Sequence, residues 1–143
     1  MQRKLKILAV GKLKQPWIIQ GVNEYAKRLP GLTITELKDS TPDREATEIQ
    51  ALVKPHDYLI VLTERGKTMD SIAFAKFLEQ TVRQDILVFA IGGPVGIAPE
   101  LERSANLCLS LSPMTFTHDM ARLLLVEQLY RAQNILQNGS YHK

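Results

Sequence analysis

The sequence predicts an α/β layer fold with a mostly parallel sheet flanked by helices. Short apolar runs of strand length alternate along the chain with segments of helical periodicity. Two of those runs are apolar almost throughout, as strands covered on both faces are. The 143 residues, 45% of them hydrophobic, match one compact domain, able to bury about two-thirds of its unfolded surface. No repeat, low-complexity stretch or linker interrupts the pattern, so a single domain over residues 1–143 is expected.

Leu5 to Val10 is apolar and partly β-branched, and Gly11 ends it, which reads as a first strand. Pro16 then stands at a helix start, with Trp17, Ile18, Val22, Tyr25, Ala26 and Leu29 at three-to-four spacing and Pro30-Gly31 as the stop. Leu32 to Leu37 alternates like a strand. Pro42 to Val53, acidic early and apolar late, reads as a short helix stopped by Lys54-Pro55. Tyr58 to Leu62 and Ile86 to Ile91 are the two buried-strand candidates, with a helical pattern from Met69 to Val82 between them. Leu107 to Leu111 alternates again, and a long helix is expected from about His118 to Leu136, with Thr117 as candidate N-cap and Asn138-Gly139 as the stop.

Charge narrows the function classes less than its distribution does. Eighteen Lys and Arg against 15 Asp and Glu give +3 overall. Through residue 28, however, Arg3, Lys4, Lys6, Lys12, Lys14, Lys27 and Arg28 face only Glu24, a local +6 that leaves −3 for the remainder. A basic patch of that kind attracts phosphate backbones through counterion release, or is simply a solvated face. The lone Cys108 excludes an intramolecular disulfide framework, and three scattered histidines lack metal-ligand spacing, so no metal is expected. The apolar run near the start is too short for a signal peptide or membrane span. A soluble, cytoplasmic protein with no membrane partner is expected.

The segment Ile86-Leu-Val-Phe-Ala-Ile-Gly-Gly-Pro-Val-Gly96 carries the most information about function. Open α/β sheets bind ligands at the carboxyl ends of their strands, and glycines there let backbone groups reach a ligand directly. A tight turn is the alternative, and the dinucleotide fingerprint G-x-G-x-x-G is not met. Arg65-Gly66-Lys67-Thr68 also follows a strand, but Val61 stands where a P-loop needs glycine. Leu111 to Thr115 marks a third strand-end loop. No G-x-S-x-G elbow occurs, and Cys108 reads as a structural thiol. In the last helix, Glu127 and Arg131 form an i,i+4 pair, and His118 and Arg122 lie one turn apart, which capping and packing explain as well as a site does.

Several ordered blocks together resemble one known family. They are Phe89-Ala-Ile-Gly-Gly-Pro-Val-Gly96, Leu109-Ser-Leu-Ser-Pro-Met-Thr-Phe116, His118, Ala121-Arg122, Glu127-Gln-Leu-Tyr-Arg-Ala132 and terminal Tyr141-His142-Lys143. With the opening Lys-Ile-Leu-Ala-Val-Gly-Lys and Leu62-Thr-Glu-Arg-Gly-Lys67, the likeness runs over essentially the whole chain. The chain resembles the ribosomal RNA large subunit methyltransferase H family, pseudouridine N3-methyltransferases of the SPOUT superfamily.

That resemblance implies a trefoil knot near the carboxyl end, S-adenosylmethionine as methyl donor, and a homodimer whose active site borrows from both subunits. It implies as substrate a pseudouridine in the helix 69 loop of 23S rRNA within the assembled 70S ribosome. Carried over by position, cofactor binding falls on Leu62, Gly66, Ile91, Gly92, Gly93, Gly96, Leu109, Leu111, Ser112, Met114, Thr115 and Phe116. Catalysis falls on His142, Lys143, Arg122 and Tyr141. His142 is the candidate base or proton relay, since an imidazole of ordinary pKa near 6.5 suits proton transfer near neutrality. Lys143 and Arg122 are candidates to hold phosphate or offset a developing imide anion. A methyltransferase for another RNA position, a noncatalytic ribosome-binding module and a generic nucleotide-binding protein remain the alternatives.

Overall fold

The computed structural model describes residues 4–81 and 86–142. The elements run β1 (Leu5–Val10), α1 (Pro16–Ala26), β2 (Leu32–Leu37), α2 (Pro42–Leu52), β3 (Tyr58–Thr68), α3 (Ser71–Gln80), β4 (Leu87–Ile91), α4 (Pro99–Ser104), β5 (Leu107–Ser110) and α5 (His118–Leu136). The strands form one sheet in the order β2-β1-β4-β3-β5, and every paired neighbour is parallel. The expected α/β class with a parallel sheet is what the chain adopts.

Period-two alternation explains how both faces are covered. Leu5, Ile7 and Ala9 of β1 join Ile18, Val22, Phe74, Leu78, Leu125 and Leu129 in a core under α1, α3 and α5. Leu8 and Val10 turn to the other face, against Ala46 and Ile49 of α2 and Leu101 of α4. The crossovers through α1 and α3 step one way along the sheet and those through α2 and α4 step the other way, on the opposite face. All four therefore share one hand, as parallel crossovers do.

Helix termini follow the local signals. Thr117 accepts a hydrogen bond from the Met120 amide at 3.2 Å, and Asp70 from the Ala73 amide at 2.7 Å, which starts α3 at Ser71 rather than Met69. At the other end of α5, Asn138 takes a positive φ of 56°. Its amide and that of Gly139 return to Ile135 and Asn134, a Schellman-type stop. Residue Val82, the expected end of the α3 segment, lies outside the described residues.

Two departures from the expected elements bear on function. The helix α4 has only six residues, too few to show periodicity, yet it opens with Pro99 and acidic Glu100 and Glu102 and buries Leu101. The strand β3 does not stop at Leu62. It pairs with Leu109 at Leu62, leaves the ladder, and pairs with Leu109 again at Lys67, so residues 63–66 form a bulge. Gly66 permits the return: a Cβ there would lie 2.6 Å from the carbonyl carbon and oxygen of Cys108.

Candidate functional site

Because all five strands are parallel, the loops after their carboxyl ends converge on one edge of the sheet. The cleft there has a volume of about 670 Å³, within the range of small-molecule sites. Its walls are the β3 bulge, the turn after β4, and the segment from Leu111 into the first turn of α5.

Ten of the expected cofactor residues line this cleft: Leu62, Ile91, Gly92, Gly93, Gly96, Leu111, Ser112, Met114, Thr115 and Phe116. The turn after β4 is closed by a hydrogen bond from the Gly96 amide to the Gly93 carbonyl at 3.0 Å, with Pro94 at its second position. Gly96 itself has φ +97°, a conformation that side chains resist, and open space on its Cβ side. Val95 and Met114 stand 79% and 75% exposed on the rim. The wall thus combines backbone and apolar surface with the ionisable side chains of Glu64, Arg65 and His118.

Two expected cofactor residues are placed away from the cleft wall. Leu109 is buried in the core, and Gly66 is pressed against the β5 backbone; neither lines the cleft. The cleft is also lined by Thr63, Glu64 and Arg65 of the turn to Gly66, and by His118, which the sequence reading did not assign to the cofactor. Arg65 is held outward by Glu102 at 2.7 Å, and that carboxylate raises its pKa further. His118 places Nε2 3.2 Å from Asp119 Oδ1. Its position just after the Thr117 cap was the available signal.

Arg122 serves the framework. It is 2% exposed, donates to Glu36 of β2 at 2.5 Å and to the Gly11 carbonyl at 2.9 Å, and does not line the cleft. The guanidinium thus ties α5 to the ends of β1 and β2. Cys108 is a half-buried thiol whose pKa is raised by burial and then by Glu102, in keeping with a structural role.

The tail residues gather elsewhere. Tyr141 donates to Glu127 at 2.7 Å, lies 3.1 Å from the Tyr25 hydroxyl, and packs edge-on to Tyr130, with the Arg131 guanidinium over its ring. Burial, then hydrogen bonding with Tyr25 and Glu127, pushes its phenol pKa well above the ordinary value. Arg131, paired with Glu127 at 2.7 Å, also contacts His142 Nδ1 at 3.0 Å. A guanidinium only donates, so Nδ1 accepts and the imidazole proton sits on Nε2. The cleft takes residues up to Ala121 of α5, whereas His142 is held at Arg131. Ten residues of helix put these about 15 Å apart along the axis. Lys143 lies outside the described residues.

Among the described residues, no group of three His, Cys, Asp or Glu is placed to hold a metal, and no helix is long and apolar enough to cross a membrane.

Comparison with known proteins agrees with this architecture. A family model described as "Predicted SPOUT methyltransferase" matches residues 3–142. A ribosomal RNA large subunit methyltransferase H from Synechococcus sp. (strain CC9605) is 54% identical, the match covering 98% of this chain and 96% of that protein. Its namesake from Prochlorococcus marinus (strain MIT 9211) is 50% identical over the same shares. Among solved structures, a probable methylase family protein from Haemophilus influenzae Rd KW20 matches with a TM-score of 0.60 at 12% identity, covering 100% of this chain and 72% of that one. The SpoU methyltransferase AviRb from Streptomyces viridochromogenes, solved with the cofactor AdoMet, matches with a TM-score of 0.52 at 14% identity, over 96% and 59%.

Proposed function

The chain belongs to the ribosomal RNA large subunit methyltransferase H family of SPOUT methyltransferases, and on that premise we propose that it methylates N3 of a pseudouridine in the helix 69 loop of 23S rRNA. It uses S-adenosylmethionine, acts on the assembled 70S ribosome in the cytoplasm as a homodimer, and carries its carboxyl-terminal segment in a trefoil knot. The carrying observation is the cleft at the carboxyl edge of a parallel sheet, walled mostly by backbone and apolar side chains with a few polar groups among them. Those walls fit the group: Gly92 to Gly96 offer amides and carbonyls to an adenosine, and Leu62, Leu111 and Phe116 offer apolar surface. When bound, S-adenosylmethionine supplies a methyl group already activated on a sulfonium.

The protein's own work is then to position the acceptor and manage one proton. Nitrogen 3 of a uracil-like ring sits between two carbonyls and bears a proton at neutral pH, so its lone pair attacks well only as that proton leaves. His142 is the proposed acceptor, with Lys143 steadying negative charge and Tyr141 fixing the tail. Docked on its own α5, His142 has no free lone pair, because Arg131 occupies Nδ1 and Nε2 is protonated. It also stands nearly three turns of helix, about 15 Å, from its own cleft. Both facts favour a site completed by the tail of a second copy, with the tail released from Arg131 as it enters.

The test is transfer of labelled methyl from S-adenosylmethionine to ribosomes lacking the modification, with free rRNA in parallel and the product nucleotide mapped by mass spectrometry. Label on the helix 69 pseudouridine of assembled ribosomes is expected. Label confined to another nucleotide, or to free rRNA, would overturn the substrate assignment. Replacing His142 by Ala should slow single-turnover transfer under saturating substrates, and an unchanged rate would remove the base assignment.

A further inference from the structure

The basic amino-terminal segment, continuous in sequence, is divided by the fold. Lys4 and Lys6 sit at the amino end of β1, the edge of the sheet opposite the cleft. Lys27 and Arg28 share Glu24, at 2.9 and 2.6 Å, so one of their two charges is offset. Lys12 and Lys14 are exposed, follow the carboxyl end of β1, and make no ion pair among the described residues.

These two lysines follow a residue that borders the cleft. Gly11, immediately before Lys12, comes so close to the cleft residue His118 that a Cβ there would lie 3.8 Å from its Nε2. The same residue is anchored by Arg122 through its carbonyl. Three residues beyond Lys14 is Trp17, the chain's one tryptophan, in the first turn of α1 and 59% exposed. An indole of that size left exposed, three residues from Lys14 in sequence, lacks a reason in the packing of this chain. It has the composition of a single-stranded nucleic-acid contact, in which cations meet phosphates and an aromatic face takes an unpaired base.

We propose that Lys12, Lys14 and Trp17 form an RNA-docking rim beside the cleft, the ammonium groups on phosphates of the substrate loop and the indole stacked on one of its unpaired bases. This rests on the rRNA-methyltransferase reading above. Charge selects RNA as occupant, since Lys12 and Lys14 make no ion pair among the described residues and are left to meet phosphates.

The test measures the ribosome concentration giving half-maximal single-turnover methylation, beside S-adenosylmethionine affinity by calorimetry. Trp17→Ala should raise the half-saturating concentration about tenfold, Trp17→Phe should largely restore it, and neither should alter methyl-donor affinity. Lys12→Gln with Lys14→Gln should lower the slope of log affinity against log salt by about 2. An unchanged half-saturation in Trp17→Ala would overturn the inference. So would a Trp17→Ala protein that sediments as a monomer where the unaltered protein is a dimer, since the indole would then belong to a subunit interface. If the unaltered protein transfers no methyl to ribosomes, the functional reading fails and takes this inference with it; normal transfer with unaffected variants removes the inference alone.

Discussion

The cleft wall is mostly backbone and apolar side chain, turned tightly from Gly93 to Gly96 and drawn from three separate loops. The docked tail, by contrast, is held almost wholly by polar side chains: Tyr141, Glu127, Arg131, Tyr25 and His142 form one connected network on the outer side of α5. A wall of backbone is rigid and selects by shape. A network of half-exposed side chains exchanges partners at little cost, because each contact competes with water. The part that must hold a ligand is therefore built rigidly, and the part proposed to move between subunits is held by bonds that can be remade.

The largest effect is expected where the wall depends on a close backbone approach. Gly66→Ala forces a Cβ into the Cys108 carbonyl, so β3 and β5 must separate. A loss of about 3 kcal/mol in denaturant unfolding is expected, with loss of methyl-donor binding. Next is Arg122→Met, which leaves Glu36 without its partner. Glu36 is more than a third exposed, so the cost falls below that of a fully buried pair, about 2 kcal/mol. Adding Glu36→Gln should return part of it, and full additivity of the two changes would contradict the pairing.

Smaller effects probe the joint between the regions. Thr117→Ala removes the cap where α5 enters the cleft, and about 1 kcal/mol of stability is expected to go, measured by thermal unfolding. For the tail, docking raises the Tyr141 pKa, so the folded state holds the phenolic proton more tightly than the unfolded one. Its contribution to stability is whole below the ordinary phenol value of 10.0 and declines as pH rises above it. An ultraviolet titration of tyrosinate should show one phenol ionising later than the rest, and that late phase should vanish in Tyr141→Phe. Superimposable titrations would show that the tail is not docked in solution.

How much of this was legible in the sequence follows from how local each cause is. Strand alternation, the Thr117 cap and the Asn138-Gly139 stop act within a few residues, and those elements stand where the pattern puts them. The β3 bulge depends on Gly66 meeting Cys108 on another strand, and Arg122 meets Glu36 from 86 residues away. Neither partner leaves a local signature. Ten cleft residues were identified through the family likeness and the strand-end glycines, while Leu109 and Gly66, adjacent to them in the motifs, pack inward. The +6 segment was read as one patch, and the parallel strand β1 carries its lysines to opposite edges of the sheet.

The most direct test of a site completed by two copies is complementation between inactive subunits. One variant, Thr115→Trp, fills the cleft and keeps its tail; the other ends at Ser140 and keeps its cleft. Each alone should fail to methylate ribosomes, while co-assembled chains should recover about a quarter of wild-type activity, since half the random dimers then hold one intact cleft facing one intact tail. A mixed population that dimerises and stays inactive would contradict the composite site and return cleft and tail to the same chain.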